Sequence, residues 1–374
     1  MDYAASTDPN PSSIHEFGLL AKKKLEHARS DVASVLGVRN SEIIFTSGGT
    51  EGNNLAIQGI ILASKRFHLL PHIVTTNIEH PSVLETCKLL ERRKWAELTI
   101  VEVEPNGIVD PRKIKKAIKS NTVLVSVIYA NNEIGTIQPI REIAKEIRHS
   151  RKTRAQSLVP SAYPIFHTDA VQAVNYLDLN VEKLGVDLLT LSGSKIKGAG
   201  RVGVLYKKSS VELENIFGGG DQEMGLRPGT ENLADILKFS SAFKKMQGVK
   251  ETEAKRLTKL RDSFLGRLEK LGFLVNGDVK ERLPNNVNVT FPKIPSDLLV
   301  VELSAHGVMT SSKSACKSSS SEGSYVIKAL RPDADPEIGG LRFSIGADTK
   351  KEHIDYTLKS LTNILKKLKK WYTR

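Results

Sequence analysis

Four side chains in this sequence stand where they could do chemistry: Lys195, Asp169, His80 and Cys316. Ser192-Gly193-Ser194-Lys195 directly follows the apolar run Val186 to Leu191, which reads as a buried strand. The C-terminal edge of an open α/β sheet is where such sheets hold ligands, and a lysine there could form a Schiff base with a carbonyl cofactor. His167-Thr168-Asp169-Ala170-Val171-Gln172 ends another such strand, where a carboxylate is costly unless it faces a cation. Glu79-His80-Pro81-Ser82 ends a third, with its proline suited to the first position of a helix. Taken singly, His80 fits a hydrogen-bonded structural histidine better than a catalytic one. Cys316 lies among small polar residues between Lys313 and Lys317, which would favour its thiolate. Cys87 contrasts with it: Leu84 and Leu90 flank it at helical spacing, the pattern of a small core residue.

The elements that must position these groups alternate in type. The strand Ile43 to Thr46 runs into Ser47-Gly48-Gly49-Thr50 and then a helix, so glycines and a helix N-terminus could approach an anion such as phosphate. A plain helix cap with no ligand would use the same residues. Further strands are expected at Ile73 to Thr76, Leu98 to Val101, Val123 to Tyr129, Ile165 to His167 and Val202 to Tyr206. Helices are expected between them, as at Ser82 to Arg93 and Ile140 to His149, which gives an α/β fold with a mostly parallel sheet. After about Ala234 a long helix carries Leu257, Leu260, Phe264, Leu268 and Leu271 on one face. Strands near Val287 to Phe291 and Leu341 to Ile345 and a final helix complete a smaller α+β lobe. The expected division is a large domain over residues 14–240 and a small domain over 241–374 together with 1–13. The serine-rich stretch Lys317 to Ser324 reads as a mobile loop.

With 374 residues the chain exceeds the usual size of one hydrophobic core, consistent with two lobes. Hydrophobic residues at 40% and charged residues at 26% exclude a disordered or collagenous chain. No apolar run approaches the ~20 residues that cross a bilayer, and no secretory signal opens the chain, so a membrane partner is not expected. Only two cysteines occur, too few for a disulfide framework, and a reduced cytoplasmic compartment is the expectation. The net charge of +13 is spread along the chain, which reads as a solvated surface, and direct nucleic-acid binding is not expected.

Taken in order, these signals resemble the cysteine desulfurases, pyridoxal-phosphate enzymes of the class V aminotransferase group. The resemblance rests on Asn10-Pro11-Ser12-Ser13, Thr46 to Asn54, Glu79 to Val83, Asn131-Asn132-Glu133-Ile134-Gly135, Asp169 to Gln172, Ser192 to Lys195, Arg227 to Asn232, Ser314-Ala315-Cys316 and Arg342-Phe343-Ser344. The spacing from Cys316 to Tyr325 is that of the NifS/IscS-like branch. The resemblance implies fold type I of the pyridoxal-phosphate transferases, with a large cofactor-binding domain and a small domain carrying the cysteine loop. It implies that Lys195 is the Schiff-base lysine, that Asp169 pairs with the ring nitrogen, and that His80 stacks on the ring. Gln172 and Asn131 would lie at the ring's phenolic oxygen, Asn131 also near the substrate carboxylate. Gly49, Thr50, Ser192 and Ser194 would hold the phosphate, with Thr230 supplied by a second subunit, so a homodimer is implied. Arg342 would grip the substrate carboxylate.

The implied activity converts L-cysteine to L-alanine and leaves sulfur on Cys316 as a persulfide. That sulfur would pass to an acceptor protein, an iron–sulfur scaffold or a sulfurtransferase, for iron–sulfur cluster assembly or tRNA thiolation. No metal is expected. Selenocysteine lyase uses the same cofactor chemistry and remains an alternative. So does a catalytically weakened desulfurase-like assembly protein, because Ser194 stands where the family has histidine and the region before Asn10 is about one helix shorter than in relatives.

Overall fold

Near-continuous apolar strands separated by amphipathic helices dictate a sheet buried on both faces. The computed structural model describes residues 9–153, 158–312, 323–333, 335 and 338–372. Cys316, Lys313 and most of the serine-rich stretch fall outside those residues. The chain divides into two compact units: one holds the residues up to Val101, Pro111–Tyr129 and Pro139–Val249, and the other holds Glu102–Asp110, Ala130–Gln138 and the chain from Lys250 onward. The division falls inside one long helix rather than at residue 240, and two short stretches near 106 and 134 join the second unit.

In the first unit, α1 (Glu16–Leu36) ends at Gly37, whose φ of 73° closes the helix in the left-handed conformation. Then follow β1 (Ile43–Thr46), α2 (Gly49–Ser64), β2 (His72–Thr76), α3 (Pro81–Arg92), β3 (Glu97–Val101), α4 (Pro111–Ala117), β4 (Thr122–Ser126), α5 (Ile140–Thr153), β5 (Ile165–Asp169), α6 (Val181–Leu184), β6 (Leu188–Ser192) and β7 (Gly203–Lys207). The seven strands form one sheet in the order β1-β7-β6-β5-β4-β2-β3. Only β7 runs against its neighbours; every other pairing is parallel. Reversing twice across β7 gives β1 the same direction as β6. The C-terminal ends of β1, β2, β4, β5 and β6 therefore share one edge. Gly203 opens β7 between Thr46 and Ser192 on that edge. A Cβ there would lie 2.4 Å from Thr46 Oγ1 and 2.6 Å from the Gly48 backbone, so only glycine permits this approach. Ile44, Leu55, Ile60, Ile73, Leu124, Ile165, Leu188 and Leu205 join one core beneath it.

Arg29 of α1 holds the edge from one side. Its guanidinium makes two 2.8 Å hydrogen bonds to the buried Glu223 carboxylate, and Phe45 N–H donates to the same carboxylate at 2.8 Å. Glu223 and Met224 take left-handed φ values of 48° and 60°, and this buried pair explains why the backbone tolerates them.

The helix α7 (Leu233–Lys270) runs on into the second unit, which adds β8 (Leu274–Val275), β9 (Asn286–Thr290), α8 (Ser296–Ala305), α9 (Tyr325–Leu330), β10 (Leu341–Ser344) and α10 (Lys351–Tyr372). Its antiparallel sheet has the order β10-β9-β8 and packs Val287, Val289, Leu341 and Phe343 with Phe264, Leu268, Leu303, Leu361 and Leu365. Among the described residues no helix is long and apolar enough to cross a membrane.

Candidate active site

Glycine and serine make the first feature at the strand edge. α2 starts at Gly49 with Gly48 as its N-cap, and no side chain caps it. Its first N–H groups therefore keep their capacity for an anion. A Cβ on Gly49 would lie 2.8 Å from Val171 Cγ2 and 3.5 Å from Ser192 Cβ, which places this turn against the ends of β5 and β6. Ser192 Oγ and Ser194 Oγ lie 2.9 Å apart beside it. An uncapped helix start next to two hydroxyls is a phosphate-shaped donor set. Thr50 is exposed at the same helix start, while Thr230 is exposed on the loop after Gly229.

The second feature is a charged group at the end of β5. Asp169 is 3% exposed; Oδ1 accepts from Val171 N–H at 3.0 Å and Oδ2 from Asn53 Nδ2 at 2.8 Å. His80 is the N-cap of α3, and its Nδ1 accepts from Ser82 N–H at 3.2 Å. Burial lowers the His80 pKa; the Asp169 charge opposes this and the Lys195 charge adds to it. Asp169 and Lys195 thus both lie within electrostatic reach of His80. Lys195 ends a tight turn, Gly193–Lys195, with its side chain exposed and its carbonyl accepting from Asn175 Nδ2 at 2.6 Å. Gln172 is half-buried three residues beyond the end of β5. Behind His80, Glu79 is fully buried, accepting from Thr76 Oγ1 at 2.6 Å and Ile128 N–H at 3.0 Å. Burial pushes its pKa up to about 8 against those two bonds, and Asp169 reinforces the rise.

The second unit holds Asn131 and Arg342. Asn131 is buried, and its Oδ1 accepts from Glu133 N–H at 2.8 Å and Ile134 N–H at 3.0 Å, so this oxygen folds the 131–135 loop. Arg342 Nη1 donates to the Asn132 carbonyl at 2.8 Å on that loop, and Nη2 makes a long 3.4 Å bond to Ser311 Oγ. Its Nε is buried with no hydrogen-bond partner among the described residues. An orphaned Nε beside a weakly used Nη2 is the edge with which guanidinium takes a carboxylate in two parallel bonds. Burial lowers the Arg342 pKa and Glu133 raises it again. Glu133 itself accepts from Ser324 Oγ, the cap of α9.

Sequence reasoning missed Asn53, Ser82, Glu79 and Glu133 as site-building residues. Each lies inside a motif that was conspicuous, yet nothing in the motif says which members face one another.

A model of the family described as Aminotransferase class-V matches residues 1–357. A curated protein named cysteine desulfurase IscS, from Dictyoglomus turgidum, is 41% identical, covering 96% of this chain and 88% of its own. The chain belongs to the class V aminotransferases, within the cysteine desulfurases. A solved NifS-like protein shares 32% identity at a TM-score of 0.85, covering 96% of this chain and 92% of that one. A structure titled SspA in complex with cysteine shares 31% identity at a TM-score of 0.75, covering 90% of each chain. The family depends on pyridoxal phosphate, and the fold is its type I architecture with a seven-stranded, mostly parallel sheet. The donor set at the strand edge fits that cofactor in kind: uncapped amides and hydroxyls suit a phosphate, a buried carboxylate suits a protonated ring nitrogen, and an exposed amine suits a carbonyl carbon. Neither the selenocysteine lyase reading nor the weakened assembly-protein reading is favoured by these relatives.

Proposed function

We propose that the chain takes sulfur from L-cysteine onto Cys316 as a persulfide, releases L-alanine, and passes the sulfur to an acceptor protein. Iron–sulfur cluster assembly or tRNA thiolation would consume it. The observation that carries this reading is the convergence of Lys195, Asp169 and His80 at one sheet edge beside the uncapped start of α2. Pyridoxal phosphate, when bound, supplies an electron sink for charge left on the substrate's carbon skeleton. Lys195 Nζ would anchor the cofactor and move the proton at the substrate's α-carbon. Asp169 holds the ring-nitrogen proton, with Asn53 steadying its carboxylate. Gly49, Thr50, Ser192 and Ser194 would hold the phosphate, and Gln172 and Asn131 would serve the phenolic oxygen. The Cys316 thiolate attacks the substrate sulfur, an S–S bond forms as the C–S bond breaks, and protonation of the carbon gives alanine.

Two features support a homodimer. Ile14 and Phe17 are 93% and 68% exposed near the start of α1, apolar surface that a second copy could cover. Thr230 is exposed on its own chain, which leaves it available to the phosphate cradle of a second copy. Sedimentation is expected to give a dimer; a monomer that holds cofactor at full strength would remove Thr230 from the site. The compartment that suits a working thiol is the reducing cytoplasm.

Mixing the protein with L-cysteine and a reductant, then assaying alanine and sulfide together, tests the function. Equal yields are expected, and sulfide without alanine would overturn the reading. Arg342 gives a finer check. Lysine in its place keeps the charge but loses the two-pronged edge. Arg342→Lys is expected to raise KM for cysteine by about 100-fold with kcat within a few-fold, since the carboxylate is gripped equally before and during reaction. An unchanged KM would take Arg342 out of substrate binding.

A further inference from the structure

We propose that Asn53 and Ser82 form a hydrogen-bond relay from Asp169 to His80 that fixes which nitrogen of the imidazole carries its proton. The inference rests on the reading of His80 as a residue of the cofactor site, and it adds two positioning residues to that site.

The direction of every bond in the relay follows from chemistry. A carboxylate oxygen accepts, so the Asn53 atom 2.8 Å from Asp169 Oδ2 is Nδ2. The same Nδ2 lies 2.8 Å from Ser82 Oγ and gives it the second amide proton. Ser82 Oγ is then an acceptor toward Asn53 and free to donate elsewhere. Its nearest partner is His80 Nδ1 at 2.7 Å. Ser82 N–H points at the same Nδ1 from 3.2 Å. A nitrogen that receives two donors carries no proton, so neutral His80 is protonated on Nε2 alone.

A cost on the opposite side of Asn53 supports this reading. Its Oδ1 is buried with no hydrogen-bond partner among the described residues. Turning the amide over would offer nitrogen a different environment, but it would set oxygen against the Asp169 carboxylate. The unpartnered oxygen is tolerated because the nitrogen is needed on the relay side.

The consequence is a histidine with one working direction. Taking up a second proton would put it on Nδ1, against both Ser82 donors. His80 is thereby held as a donor through Nε2. The charged and titratable groups around it are Asp169 at the end of β5, Lys195 after β6, and Glu79, its chain neighbour, which interacts with Asp169. Hydrogen bonds to the unprotonated Nδ1 add to the lowering that burial and Lys195 already impose.

The test is the ring-nitrogen spectrum of His80 in the holoenzyme, labelled on histidine and assigned by the signal lost in His80→Gln. The wild type is expected to show bare Nδ1 and protonated Nε2 throughout the neutral range. Ser82→Ala removes the hydroxyl donor, and its His80 is expected to titrate at higher pH and to mix tautomers. The acidic limb of the kcat profile should move up with it, and kcat should fall by roughly tenfold. Ser82→Thr restores a hydroxyl and is expected to restore the wild-type spectrum, which separates a lost relay from a disturbed fold. A wild-type signal with protonated Nδ1, or a Ser82→Ala spectrum identical to wild type, would overturn the proposal. The spectrum reports the tautomer whether or not cysteine is turned over, so failure of the relay and failure of the desulfurase reading leave different traces.

Discussion

Lys195→Ala is expected to leave a folded protein with no desulfurase activity and no firmly held cofactor. The side chain is exposed at the end of the Gly193–Lys195 turn, and the turn itself is held by its backbone and by Asn175 on the Lys195 carbonyl. Removing an exposed side chain costs stability only within about 0.5 kcal/mol, so Tm should stay put. Activity should fall by on the order of 10⁴-fold if, as proposed, the same amine both anchors the cofactor and moves the α-proton. Visible absorbance should disappear on dialysis. The variant also removes a positive charge that lowers the His80 pKa, so His80 should titrate at higher pH than in the wild type. Lys195→Arg separates the two effects: it keeps the charge near His80 but offers no amine for the covalent link. Activity in Lys195→Ala near the wild-type level, with cofactor retained, would show that another group holds the cofactor.

Taken alone, this lysine reads as weakly as any surface lysine; the strand before it and the ordered set of other motifs are what mark it in the sequence. The strands themselves are legible: β1 spans Ile43–Thr46 as its β-branched run indicates, and most others shift by a residue or two. The reversed β7 is not legible. Its residues, Gly203–Lys207, are as apolar as those of the parallel strands, and direction depends on the short connection from β6, not on side-chain pattern. The long helix α7 is also hidden in part, because Gly248 and the polar residues around it interrupt the apolar stripe that begins again at Leu257. Within the site, the chemical types could be read but not their partners. His167 and His80 look alike in sequence, each near the end of a strand. His167 is clamped between Ser126 and Thr190 in the sheet interior, with burial pushing its pKa down to about 3, whereas His80 stands one residue before a helix at the open edge. Asn53 and Asp169 are 116 residues apart, and only the parallel arrangement of β1 and β5 on one edge brings them together.

Cys316→Ala should give the opposite phenotype to the lysine variant: cofactor retained, cysteine bound, and no sulfide. On the proposed reading its loss removes the nucleophile that takes the substrate's sulfur, and the fall in kcat is expected to be on the order of 10³-fold or more. Nothing else in the chain can take over. The sequence has two cysteines, and the other, Cys87, is fully buried in the core with Ile57, Val83 and Leu90. Burial pushes the Cys87 thiol up, and the nearby Glu79 carboxyl adds to the rise, so it forms no thiolate at neutral pH. Alkylation of the native wild type should accordingly modify one thiol per chain and abolish activity in step, while the variant takes up no reagent until it is unfolded. The visible spectrum of the variant should still respond to added cysteine, because Lys195, Asp169 and the phosphate donors are untouched. Sulfide release at the wild-type rate from Cys316→Ala would mean that sulfur leaves the substrate without a protein thiol, since Cys87 is out of reach.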